Sequence, residues 1–411
     1  MGNRKIIQTL RFVKRMITSP RASYGVAVTM LSSLGNLSLS IATARSSSIQ
    51  MLGQFAIGFS IYVIGVGIVR SAVVEPTLAS QPTVEDFRNS MRRASFLAVW
   101  FSAVVLGVGL ILGMIYVVLI GIALHGCAAY EYAKVMNLSM FRPLNGLRQE
   151  FTWFFASLIS SLLVLTGVIS PVAGFAIWAF SCATIGYTTA FLLHLRCQPR
   201  WDKDLISNRV SAAFGLDFMI GTGSSQLALN AVSVTAGVSI LGSLKAGGTL
   251  LGPVGMVVST ARSLLIPYLS RMILGRTLDA IRGAVITSGV MCMLALPFLA
   301  LVSILPNRIG VLVLGANWVY ARPLLPFLAA EMFFAVATTV PFAGHRALLA
   351  AKSTLIIRSL LAVLRILVIV LAAMAFGAKG AAGAMAGVAF VGAIVWWWSY
   401  ALMLQKGSLG E

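Results

Sequence analysis

Gly237-Val238-Ser239-Ile240-Leu241-Gly242-Ser243-Leu244-Lys245-Ala246-Gly247-Gly248-Thr249-Leu250-Leu251-Gly252-Pro253 is the stretch on which the reading of this chain turns. It is apolar enough for a bilayer, yet it holds five glycines, a lysine and a closing Gly-Pro. A helix that only anchors a protein needs none of these. Gly and Pro loosen a helix, and lipid tolerates that only where neighbouring helices or a wet cavity satisfy the freed backbone groups. A lysine at the bilayer centre costs roughly 2.5–3.5 kcal/mol on insertion scales, so by default it faces a cavity. The stretch therefore reads as the lining of a transport pathway, with Gly252 and Pro253 as a hinge where the helix breaks.

Composition extends this reading to the whole chain. Its 411 residues are 59% hydrophobic and 10% charged, with a mean hydropathy of +0.93. Soluble proteins are about a quarter charged. One crossing takes about 20 apolar residues, so the apolar mass divides into about twelve helices. Long apolar runs with little alternation exclude an outer-membrane barrel. The expected class is an all-α integral membrane protein. The net charge of +20 comes from 31 Lys and Arg against 11 Asp and Glu. These cations are spread over short loops, which suits contact with anionic membrane lipids and not a nucleic-acid-binding face. The four cysteines have no CxxC spacing and read as small apolar residues. Neither a Walker motif nor a metal-ligand spacing is present, so no cofactor is expected.

In chain order, residues 1–21 are basic with apolar residues at helical spacing, an amphipathic helix for the cytoplasmic membrane face. Residues 22–195 hold six expected crossings, 196–213 a basic inter-lobe loop, 214–404 six more crossings, and 405–411 a short tail. Glu75-Pro76 is expected to end the second crossing, and residues 305–323 to form an outer interfacial loop. Turns are expected near 109–113, at Ser170-Pro171 and near Lys379. Lysines and arginines collect in the even-numbered loops and at the ends of the chain, which puts both termini in the cytoplasm. A faint repeat relates the halves. Leu52-Gly53 matches Leu241-Gly242, Arg70 matches Arg262, Pro76 matches Pro267 and Arg92 matches Arg282, all about 190 residues apart. Two parallel six-helix halves are the pattern of a two-lobed transporter.

Several of these segments resemble a known family. Leu52-Gly53-Gln54-Phe55-Ala56, Val69-Arg70-Ser71-Ala72-Val73-Val74-Glu75-Pro76, Leu241 to Ala246 with Thr249 to Pro253, and Leu312 to Trp318 are similar to polysaccharide-biosynthesis membrane proteins. These belong to the multidrug/oligosaccharidyl-lipid/polysaccharide exporter superfamily and include the O-antigen flippases; the variants most like this chain are actinobacterial. The resemblance implies a MATE-like pair of six-helix bundles around a cavity in the bacterial cytoplasmic membrane. It implies a non-enzymatic flippase for an isoprenoid-diphosphate-linked glycan, working by alternating access beside a glycan polymerase or glycosyltransferases. Tyr130-Glu131-Tyr132-Ala133-Lys134 stands where the family has an aspartate and an arginine; the charges are kept in kind.

A flippase must hold phosphate charges away from water, and fixed cations do this, arginine in bidentate fashion. The candidates for substrate binding are Arg70, Lys245, Arg262 and Arg365. The competing readings are a structural ion pair for Arg365, and reach toward the membrane surface for Lys245, Arg70 and Arg262. Glu331 and Asp217 are the candidates for ion coupling or for pairing with a cavity arginine. The three histidines read as structural. Two alternatives compete with the flippase: a cation-coupled small-molecule exporter of the same fold, and a membrane glycan polymerase or acyltransferase. The scarcity of embedded acids weighs against the first, and the shortness of the outer loops against the second.

Overall fold

The computed structural model describes residues 20–201, 206–273, 277–348 and 350–407, without the side chains of 20–22, 257, 259–273, 277–280, 351, 406 and 407. Residues 1–19 of the basic N-terminal segment, 202–205 of the central loop and 408–411 of the tail lie outside the described residues, as does the side chain of Arg262. In order, the helices are α1 (Pro20–Ser46), α2 (Ile49–Val69), α3 (Glu75–Ala79), α4 (Val84–Leu112), α5 (Ile115–Ser139), α6 (Pro143–Leu165) and α7 (Pro171–Leu192). There follow α8 (Asn208–Phe218), α9 (Ser224–Thr235), α10 (Val238–Ile273), α11 (Thr277–Ser303) and α12 (Asn307–Leu314). The last four are α13 (Trp318–Ala321), α14 (Leu325–Ala337), α15 (Thr339–Ala347) and α16 (Ala351–Gly407).

No strand occurs among the described residues. Lipid offers the backbone no hydrogen bonds, so each crossing must satisfy its own N–H and C=O groups, and a helix does so within itself. Local sequence sets the ends. Thr83 and Asp86 form a reciprocal cap on α4: the Thr83 hydroxyl accepts from the Asp86 N–H at 3.2 Å, and the Asp86 carboxylate from the Thr83 N–H at 3.0 Å. Gly113 ends α4 in the left-handed conformation at φ 63°. Ser170 caps α7, whose first residue is Pro171.

Eight stretches among the described residues are long and apolar enough to cross a membrane, and the chain is a multi-pass membrane protein. One of the eight, Lys352–Gln405, is 54 residues long. At 1.5 Å per residue that is about 80 Å, far more than one crossing. Gly377, at φ 62° and ψ −147°, divides it, two residues before the expected join at Lys379. Further crossings were expected at α6, α9 and α10, which are not among the eight. The first opens with Asn145, Arg148, Gln149 and Glu150, and the second has 12 residues.

The structure corrects three local expectations. The chain does not leave the helical path at Glu75-Pro76; a wide π-turn over Arg70–Val74 carries it into α3. Proline early in a helical segment needs no N–H partner, and the π-turn supplies such a start. Residues 305–323 are not loop but α12, a 3-10 turn at Gly315–Asn317 and α13, because Leu314 and Trp318 are buried and their backbone must be paired. The third concerns Gly252 and Pro253: α10 runs through both without a break. A proline in a helix removes one hydrogen bond, and the bonds on either side hold so long a helix together.

The described residues form two compact units: one of residues up to Leu39 with Gly65–Gly215, the other of Ser40–Ile64 with Leu216 onward. The first has a core of Val73, Phe87, Met91, Ala129, Tyr132 and Met136. It also holds an aromatic stack in which Trp178 lies 5.3 Å from Phe175 and 5.6 Å from Trp153. The second has a core of Ala284, Val340, Ala343, Tyr400 and Leu404. It takes in Ser40–Ile64, which the sequence reading assigned to the N-terminal lobe.

Within this second unit the repeat-related glycines meet. A Cβ on Gly53 would lie 2.1 Å from the Val238 carbonyl oxygen, and one on Gly242 would lie 2.2 Å from that of Ile49. Each glycine thus touches the residue four positions before the other. The contact is reciprocal, as a two-fold relation between equivalent segments requires. Glycine is needed at both positions because the two backbones approach closely.

Candidate functional site

Arg358 and Arg365 lie seven residues apart on α16, two helical turns, and so share a face. That face borders a cavity of about 300 Å³ in the second unit, lined also by Thr222, Ser224, Ser225 and Glu331. Arg365 donates a hydrogen bond to the Ser225 hydroxyl. Arg358 is held more firmly. It ion-pairs with Asp217, which also pairs with Arg346 at 3.2 Å. Gly221, in the π-turn Met219–Gly223, leaves room for it: a Cβ there would lie 1.5 Å from a terminal nitrogen of the Arg358 guanidinium. π-turns are rare and often sit at functional sites.

A second cavity of about 240 Å³ in the same unit is lined by Phe59, Ser60, Gln226, Asn230, Lys245 and Glu331, among others. Lys245 projects from α10 with its ammonium 4.4 Å from the Phe59 ring centre and 5.4 Å from that of Phe55. An ammonium over an aromatic face keeps part of its electrostatic stabilisation while out of water. Among the described residues it forms no contact ion pair with a carboxylate. Asn230 donates to the Ser60 hydroxyl at 3.0 Å. Glu331, on α14, is the one residue common to both linings.

The first unit holds a different constellation. Arg70 pairs with Glu131 at 3.0 Å and Glu75 at 3.5 Å. Glu131 pairs with Lys134 at 2.6 Å, and Lys134 reaches Glu150 at 3.3 Å. Glu150 is fully buried and accepts from the Tyr130 hydroxyl at 2.9 Å. This is a nearly charge-balanced chain with its one half-exposed cation, Arg70, already matched by two carboxylates.

The structure thus brings Arg365, Lys245 and Glu331 to adjoining cavities and sets Asp217 behind Arg358. Arg70 lies in the other unit, and the side chain of Arg262 lies outside the described residues. His125 bonds Ser95 at 2.6 Å and Tyr187 at 2.8 Å; His345 bonds the Pro341 carbonyl at 2.8 Å and Ser399 at 3.0 Å. Sequence reasoning passed over Arg358 and Glu150. The seven-residue spacing of the two arginines was the available signal for the first. No local pattern flags the second, whose partners come from another helix.

No protein-family model matches the sequence, and no curated protein does. Solved structures do match. A multidrug-resistance MATE family transporter of the MOP superfamily, in an inward-facing conformation, superposes with TM-score 0.68 at 13% identity over 93% of this chain and 98% of that one. The fold is that of the MOP-superfamily transporters. The lipid II flippase MurJ, inward closed, gives 0.67 at 14% identity, over 94% and 90%. A MOP-superfamily transporter from Pyrococcus furiosus, described as having a binding pocket of reversed polarity, gives 0.59 at 12% identity, over 94% and 96%. The fold is thus shared about equally with a multidrug-resistance transporter and a lipid II flippase.

Proposed function

We propose that this protein is a flippase. Its cargo is an isoprenoid-diphosphate-linked glycan, of the kind used for O-antigen-type surface polysaccharides. It carries this cargo across a bacterial cytoplasmic membrane by alternating access, with twelve crossings in two lobes and both termini in the cytoplasm. Its partners are that lipid-linked glycan, anionic lipids, and a glycan polymerase or glycosyltransferases. One observation carries the reading. The adjoining cavities of the second unit are lined by three cations, Lys245, Arg358 and Arg365, against a single carboxylate, Glu331. Counting Asp217 as the partner of Arg358 still leaves one positive charge in excess. A cavity that carries cationic drugs needs the opposite sign; one that carries a diphosphate needs this one. The seryl and threonyl hydroxyls beside Arg365 add donors for phosphate oxygens.

The test is reconstitution in proteoliposomes with a fluorescent isoprenoid-diphosphate sugar, scored by its accessibility to an external reagent. A charge-assisted hydrogen bond contributes about 1.5–3 kcal/mol, so Arg365→Ala and Lys245→Ala are each expected to slow flipping by about tenfold or more. Wild-type flipping in both variants would refute the site. Export of a lipophilic cation with no movement of the lipid-linked sugar would favour the cation-coupled exporter, the reading that Glu331 supports.

A further inference from the structure

Two carboxylates of the second unit, those of Asp217 and Glu331, are held in contrasting ways. Asp217 is locked in contact ion pairs with Arg346 and Arg358, and Gly221 shapes the space for the latter. Glu331 forms no contact ion pair among the described residues, although it lines the same cavity as Arg365. Arg365 in turn is held by a neutral hydroxyl, that of Ser225. Glu331 also lines the cavity of Lys245. One loosely held carboxylate therefore stands at the wall shared by two cavities, with a cation in each. In a region of low dielectric a carboxylate on that wall offsets the charge of a cation on the same wall, and any second anion entering must contend with it.

We infer that Glu331 is a place-holding anion. Its carboxylate serves as counter-ion to Arg365 until a phosphate group of the cargo takes that role, and it reclaims the role when the cargo leaves. The inference rests on the proposed binding of a diphosphate to these cations and adds what tunes that binding. Glu331 weakens the ground-state grip on the anion and speeds its release, so the two cations can bind phosphate without trapping it. Asp217 differs in that its carboxylate is already shared between two arginines, Arg346 and Arg358.

The experiment uses the purified full-length protein with inorganic pyrophosphate as the binding probe, and the fluorescent lipid-linked sugar for turnover. The isosteric Glu331→Gln is expected to bind pyrophosphate about tenfold more tightly and to flip the lipid more slowly at saturation, lowering KM and kcat together. In an Arg365→Ala background the same substitution is expected to give no gain in affinity, since the competition acts through Arg365. Glu331→Ala serves as a second variant and should show the same tighter binding. If Arg365→Ala and Lys245→Ala bind pyrophosphate as wild type does, the diphosphate site itself is wrong. If those variants lose binding while both Glu331 variants bind as wild type or more weakly, the site stands and the place-holder is overturned. Flipping that requires sodium or a proton gradient in wild type and loses that requirement in Glu331→Gln would also overturn it, in favour of ion coupling.

Discussion

Lys134→Met tests whether the buried ion chain of the first unit is held together by one residue. Lys134 lies 2.6 Å from Glu131 and 3.3 Å from Glu150. Glu131 keeps a second cation, Arg70, at 3.0 Å. Glu150 keeps none: it is fully buried, its Oε1 has no partner, and its Oε2 is left with the Tyr130 hydroxyl alone. Methionine fills nearly the same volume, so the loss is electrostatic. Removing one partner from a buried pair costs about 3–5 kcal/mol, because the other charge stays buried. With about 2–4 °C per kcal/mol for a unit of this size, Tm in detergent should fall by about 6–20 °C. The double variant Lys134→Met/Glu150→Gln removes the orphaned charge while keeping an acceptor for Tyr130, and should recover at least half of the loss. The assay is thermal unfolding followed by size-exclusion chromatography. A single variant as stable as wild type, or a double variant no better than the single, would refute the assignment of Lys134 as the keystone.

Other perturbations read different parts of the fold. Gly53→Ala and Gly242→Ala each press a methyl group to within 2.2 Å of a facing carbonyl oxygen and should each cost about 1–3 kcal/mol. Gly107→Ala, with open space around it, should be neutral in the same thermal assay. Asn317→Ala removes side-chain hydrogen bonds to the Ala44 and Ser47 carbonyls, at 2.6 and 2.8 Å, and should cost about 2–3 kcal/mol by the same measurement. Gly221→Ala displaces the Arg358 guanidinium, so under the proposed function its flipping rate should fall as far as that of Arg358→Ala; a wild-type rate would show that the placement of Arg358 is not used.

The class of the fold was legible before any coordinates. Apolar runs of crossing length admit one backbone solution in lipid, and composition alone reports them. Helix ends were legible where a single residue makes the end: Gly113 through its left-handed backbone, Ser170-Pro171 through cap and first-turn proline. They were misread where the end depends on packing. Pro76 and Pro253 look like stops in the sequence, yet both sit within continuing helical paths, because neighbouring turns absorb one missing hydrogen bond. Residues 305–323 are polar enough to read as loop, but burial of Trp318 and Leu314 makes their backbone coil into short helices.

Composition and spacing establish a many-helix membrane chain, the repeat that pairs Leu52-Gly53 with Leu241-Gly242, and the short list of embedded charges. Lys245, Glu331 and Arg365 were on that list because a charge at membrane depth is costly wherever it lies, and the cost is visible in one dimension. Tertiary structure alone decided which charges share a cavity and which cancel. Arg70 and Arg365 were both candidate cations in sequence, the first read as reaching for the surface and the second as ion-paired, but the fold gives Arg70 two carboxylates and gives Arg365 a serine hydroxyl. Electrostatic interaction depends on separation in space. Glu150 and Lys134 are sixteen residues apart in the chain and 3.3 Å apart in the fold, and only the fold reports the second distance.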